Sequence, residues 1–160
     1  MKNPNVRMFD DAAARFFAPI ASRAKLPFQS LGDGVYEIQS REFTMRVRRG
    51  TGHRKDILIT LLPTVERSAD LGDLSKEIGL GVIAKFRGEN LAEPSLATQE
   101  EYFRYSENLA IASERLLVPY LQGNKTDFSE IKAFVAKNAE KAVSEIPEYR
   151  FPKNVRKEWI

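Results

Sequence analysis

In three runs between Tyr36 and Leu62 apolar residues recur at every second position, and this period constrains the fold more than any other feature of the chain. Tyr36 and Ile38 alternate with Val35, Glu37 and Gln39. Phe43, Met45 and Val47 alternate with Thr44, Arg46 and Arg48, and Ile57, Ile59 and Leu61 with Leu58, Thr60 and Leu62. A strand turns successive side chains to opposite faces, so these runs predict an antiparallel meander of three strands joined by tight connections. The segment PFQSL, before the turn Gly32-Asp33-Gly34, predicts a fourth strand at its start.

The pattern also predicts a register. With Ser40-Arg41 at the tip of the first hairpin, Ile38 faces Phe43 and Tyr36 faces Met45. The glycine-rich connection from Gly50 to Arg54 then sets Met45 opposite Ile59 and Phe43 opposite Leu61. On the other side of the sheet it sets Arg48 opposite Asp56 and Arg46 opposite Leu58. A slip of one residue would scatter the apolar set over both faces. The expectation is a dry face, covered by helix, and an arginine face.

On either side of the meander the period returns to that of a helix. Phe9, Ala13, Phe16, Ile20 and Ala24 make one stripe, predicting a helix from about Pro4 to Ala24, with Pro19 kinking or ending it. Leu71, Leu74, Ile78, Val82 and Phe86 predict another, with Asp70 or Asp73 as N-cap and Gly88 as C-cap. Gly79 and Gly81 weaken it, and Leu80, Val82, Ala84 and Phe86 fit a strand equally, so segment 73–87 stays open between helix and strand. Thr98 and Glu101 are spaced as a capping box ahead of Tyr102, Tyr105, Leu109, Ala112, Leu116 and Tyr120, with Pro119 bending the last turn and Gly123 ending it. Asp127 with Glu130 repeats the cap before a last helix to about Ser144. The short link 122–126 predicts a helical hairpin packed through Leu109, Leu116, Ile131, Phe134 and Val135. The tail from about 146 to 160 has no period.

The expected fold is therefore α+β in a single domain spanning 1–160. An N-terminal helix leads into a three- or four-stranded antiparallel meander, then helices ending in a C-terminal hairpin packed on one sheet face. The length and the 42% of apolar residues suit one ordinary globular domain.

Composition removes several kinds of chemistry. Without cysteine there are no disulfides, thiolate metal sites or cysteine nucleophiles, and a reducing, cytoplasmic location is expected. His53 is the sole histidine. It sits in a glycine-rich turn beside Arg54, with no group to orient it as a base, and reads as a turn residue. Gly50-Thr51-Gly52 and Gly79-Leu80-Gly81 lack the Lys-Ser/Thr pair of a phosphate-binding loop and the third glycine of a dinucleotide fingerprint. The acidic clusters Asp10-Asp11, Asp70 with Asp73 and Glu77, and Glu100-Glu101 lie near predicted helix starts, where acids complement the helix dipole. No nucleophile-elbow motif is present. No catalytic residue, cofactor, metal site or membrane span is expected.

What remains is charge. Residues 41–55 carry Arg41, Arg46, Arg48, Arg49, Arg54 and Lys55 against Glu42 alone, a net of +5 where the whole chain has +3. These six are the candidate binding residues. Segment 66–101 holds eight acids and four bases, so the two could dock within one molecule or between molecules. Tyr36 and Phe43 fall on the dry face, which deprives the arginine face of aromatics on which bases could stack, while Glu37 and Asp56 partly neutralise it. A non-enzymatic domain binding an acidic partner protein, through this face or the C-terminal tail, is the first expectation. A nucleic-acid-binding module using the 41–55 hairpin is the second, and an enzyme without a recognisable motif the third. Toxin-neutralising immunity proteins share this general outline, though no motif ties the chain to them.

Overall fold

The computed structural model describes residues 4–50, 56–66, 77–91 and 98–145. These form two compact units, one reaching to Thr126 and one from Asp127 onward. The first unit begins with α1 (Pro4–Ala12), a π-helical turn (Ala13–Phe17) and α2 (Ala18–Ala24). Then come β1 (Phe28–Gly32), β2 (Val35–Gln39), β3 (Phe43–Arg49), β4 (Ile57–Pro63), a 3-10 turn (Thr64–Glu66), β5 (Ile78–Gly79), α3 (Leu80–Phe86) and α4 (Gln99–Leu121). The class is α+β with an antiparallel sheet in the order β1-β2-β3-β4-β5. The fourth strand expected from PFQSL is β1, and β5 is one strand more than the alternation predicts.

Pro19 does not end the first helix, but the helix is irregular just ahead of it, in the π-helical turn. The Ala18 N–H bonds to Ala13 O, one residue further back than in an α-helix, and Pro19 then lies in the first turn of α2. A wide turn just ahead of a proline relieves the crowding its ring would cause. It also moves the apolar stripe by one residue. Phe17 and Ala21 are buried with Phe9, Ala12, Ala13 and Ile20, whereas Phe16 and Ala24, expected in the stripe, are only half-buried.

Both hairpins differ from the expected register by two residues. Tyr36 pairs with Val47 and Ile38 with Met45. Met45 pairs with Leu61, Phe43 with Pro63, Arg48 with Leu58 and Arg46 with Thr60. The tip of the first hairpin is Arg41-Glu42, because Ser40 closes it. Its hydroxyl donates to Phe43 O at 2.9 Å and accepts from Phe43 N at 3.1 Å. Thr64 reinforces the tip by donating to Ser40 O at 2.9 Å. A shift of two preserves the side on which each residue falls, so Tyr36, Ile38, Phe43, Met45, Val47, Ile57, Ile59 and Leu61 do share one face. The helices of this unit pack there. Phe9 meets Tyr36 with ring centroids 5.6 Å apart, Phe43 meets Tyr120 at 5.8 Å, and Ile38, Met45, Val47 and Leu61 are fully buried.

The turn Gly32-Asp33-Gly34 has positive φ throughout, at 80°, 51° and 73°. At Gly34 there is a second reason for glycine, since a Cβ would lie 3.1 Å from Arg49 Cβ. The described part of segment 73–87, from 77 onward, is both strand and helix. Ile78 and Gly79 pair with Leu61 and Thr60 as β5, and the chain turns into α3 at Leu80. Gly88, at φ 79°, follows that helix as expected, and Glu89 N bonds to Ala84 O. The proposed caps Asp70 and Asp73, with Leu71 and Leu74, lie outside the described residues. So does the tail from 146. Thr98 caps α4, its Oγ1 accepting from Glu101 N at 3.1 Å, and its hydroxyl meets Glu101 Oε1 at 3.2 Å. Past Leu121, Gly123 at φ 77° ends α4, with Asn124 N bonded to Pro119 O at 2.7 Å. The second unit holds α5 (Phe128–Glu145), with Phe128 and Ile131 buried.

Candidate functional site

The alternation in β3 puts Arg46 and Arg48 on the sheet face opposite α1 and α4, as expected, but this face is not open. Arg46 is fully buried, and so is Glu37, its direct partner in the β2–β3 ladder. Arg46 Nε donates to Glu37 Oε2 at 2.8 Å, and Arg46 Nη1 donates to Glu77 Oε1. The same Glu77 oxygen accepts from Arg48 Nη2 at 2.8 Å, and its other oxygen accepts from Thr60 Oγ1 at 3.1 Å. Glu37, Arg46, Thr60 and Gly79 form one row across β2, β3, β4 and β5. Gly79 contributes no side chain to it, and Glu77, two residues earlier on the same side, reaches in.

The six basic residues are thus not one surface. Arg46 is enclosed and Arg48 is 12% exposed, both held by Glu77. Arg49 falls on the opposite face, where it packs over Gly34 and its charge reaches Tyr102. Arg41 stands exposed at the hairpin tip. Arg54 and Lys55 lie outside the described residues, as does His53. The expected pairing of Arg48 with Asp56 is replaced by Leu58, a consequence of the two-residue shift. Glu37 neutralises Arg46 as anticipated. Glu77 was read as an acid at a helix start and not as a partner of the arginines, because the stripe around it read as helix; the signal that pointed to the pairing was the opposite net charge of segment 66–101.

A second feature lies at the other edge of the sheet. The β4–β5 ladder covers only Thr60 and Leu61, so among the described residues no strand lies beside Ile57–Ile59 on that side. A side chain caps part of this edge. The Tyr105 hydroxyl accepts from Ile57 N at 3.1 Å and donates to Ile57 O at 3.4 Å. Burial pushes the Tyr105 phenol up, with the Ile57 backbone pulling the other way. Alongside runs an open groove of about 410 Å³, walled by Leu58, Ile59, Leu80, Val82, Leu91 and Leu109 and floored by Tyr105. Leu58 and Val82 are 39% and 37% exposed, which is unusual for large apolar side chains so close together.

Elsewhere, Tyr36 donates to Asp10 Oδ1 at 2.8 Å, and burial together with that bond raises its phenol to about 12. Burial also pushes the Tyr102 phenol up. Among the described residues there is no group of three or more acidic or histidine side chains placed to hold a metal ion. No helix among them is long and apolar enough to cross a membrane. Comparison with protein-family profiles, characterised proteins and solved structures finds no match to this chain.

Proposed function

We propose that this protein is a non-enzymatic binding domain whose partner is another protein, and that the groove beside β4 receives an extended apolar segment of it. One observation carries this reading. The groove is walled by apolar side chains and leaves Leu58 and Val82 partly exposed, so a visiting segment would find an apolar bed there, while the outward backbone groups of Ile57 are already held by Tyr105. The lining suits apolar side chains better than phosphates. Two of the arginines on which nucleic-acid binding would draw are already engaged with Glu77, and Tyr36 and Phe43 are packed against helices.

A displayed library of random peptides tests the reading. Wild-type protein should enrich sequences with apolar residues at alternate positions, and a Leu58→Asp/Val82→Asp variant should not. Both positions are partly exposed, so the variant should keep the wild-type circular dichroism and urea midpoint. Enrichment unchanged by the double substitution would remove the groove from the reading. Tight binding of mixed-sequence oligonucleotides at physiological salt, with a steep salt slope, would favour a nucleic-acid partner instead.

A further inference from the structure

The two guanidiniums of the arginine face are arranged as a receptor for one carboxylate, and the chain fills it with its own. Glu77 presents one oxygen to Arg46 and Arg48 and the other to the Thr60 hydroxyl. Arg46 already has a counter-ion in Glu37, fixed opposite it in the β2–β3 ladder, so Glu77 supplies the second negative charge. Two further observations mark Glu77 as the less permanent of the two acids. Glu37 sits within a five-residue strand paired on both sides, whereas Glu77 precedes a two-residue strand held to β4 through Thr60 and Leu61 alone. In addition, Arg46 Nη2 is buried without a hydrogen-bond partner, so the receptor has a donor that Glu77 does not satisfy.

We propose that Glu77 is an exchangeable occupant of this receptor, and that an acidic side chain of a partner protein takes its place, entering past the partly exposed Arg48. Replacing one carboxylate by another leaves the number of buried charges unchanged, so the desolvation that makes buried ions costly is not incurred afresh. A carboxylate fits what is there, since its two oxygens match a forked pair of guanidiniums and a hydroxyl. Competition favours the tethered group, whose effective concentration is in the millimolar range or above. A free monocarboxylate therefore displaces little, and a peptide with several acids displaces more. The proposal concerns the arginine face and stands apart from the groove beside β4.

The probe is a short oligoglutamate peptide, titrated by calorimetry at low ionic strength. Glu77→Gln keeps the shape of the side chain and removes the competing charge, so it should bind the probe at least about tenfold more tightly than wild type. Adding Arg48→Gln should abolish that gain. A folded Glu77→Gln protein with no gain overturns the proposal, as does a gain that survives Arg48→Gln. Tighter binding of an oligothymidylate of equal charge than of oligoglutamate also overturns it, in favour of a phosphate receptor. Should Glu77→Gln fail to fold, wild-type protein decides. At high probe concentration the amides of Leu61 and Ile78, the hydrogen-bonded pair of the β4–β5 ladder, should lose protection from hydrogen exchange as β5 is released, and unchanged protection refutes the exchange.

Discussion

Arg46→Met is the most informative single perturbation of this fold. Methionine replaces the arginine stem at similar volume, so the change isolates the charge. Arg46 donates to two carboxylates, Glu37 and Glu77, and neither has appreciable exposure through which water could replace it. Each lost bond to a charged group is worth about 1.5–3 kcal/mol, and breaking a buried ion pair costs about 3–5 kcal/mol. Two lost bonds put Arg46→Met at about 3–6 kcal/mol, a large part of the roughly 5–15 kcal/mol that holds a domain of this kind together. Removing Glu37 as well changes the balance, because Glu77 and Arg48 still neutralise each other. The Arg46→Met/Glu37→Met double variant should therefore recover most of the loss, since apolar replacement of a buried pair is often neutral or stabilising. Urea denaturation measures both, urea being preferred because it does not screen charge. With an m-value near 2 kcal/mol/M, Arg46→Met should lower the midpoint by about 2 M. A loss below about 1 kcal/mol, typical of exposed ion pairs, would mean that water reaches the cluster and that the burial argument is mistaken. A double variant no better than the single one would refute the charge-balance argument.

Three further outcomes follow from individual contacts. The Tyr36 phenol, raised from 10.0 to about 12, favours the folded state at every pH below 10. That contribution should disappear as pH rises from 10 through about 12, and Tyr36→Phe should remove the phenolate absorbance step near pH 12 that burial and the bond to Asp10 delay. Thr98→Ala removes the acceptor for Glu101 N and should cost about 1 kcal/mol in urea denaturation, with Thr98→Ser largely restoring it. Gly34→Ala forces a left-handed residue and places a Cβ 3.1 Å from Arg49 Cβ, so it should destabilise by roughly 1–2 kcal/mol, whereas alanine at exposed Ser129 should change little.

How far the sequence could be read is best seen in β2 and β3. Which side each residue faces depends only on odd and even positions, so it survives any shift of two, and the dry face was legible in full. The tip of the hairpin was not, because it depends on one hydroxyl, Ser40, bonding to Phe43 in preference to a neighbouring closure. Alternation also says nothing about what covers a face. Arg46 reads as exposed because arginine usually is, and its burial rests on Glu37 and on an acid 31 residues away. Glu77 was hidden by tertiary pairing. Ile78 and Val82 are spaced for a helix, yet the free edge of β4 draws Ile78 and Gly79 into the sheet, and the helix starts only at Leu80. The groove beside β4 could not be foreseen at all, since it exists only because that pairing stops after two residues.

The π-helical turn at Ala13–Phe17 bears on which changes of chain length this protein can absorb. It holds one residue more than an α-helix needs, and that surplus narrows the arc over which Phe9, Ala12, Ala13, Phe17, Ile20 and Ala21 meet the core. Loss of one residue there, for instance exposed Ala14, would tighten the turn to α-helical geometry without removing a core side chain. The obstacle is Pro19, whose ring would then press on the carbonyl four positions back at a cost of about 3 kcal/mol. The proline and the surplus residue are therefore coupled, so that a chain without one could dispense with the other. In α4 the same deletion would turn everything beyond it by about 100° and carry Leu116, Leu117 and Tyr120 out of the core, with no surplus to draw on.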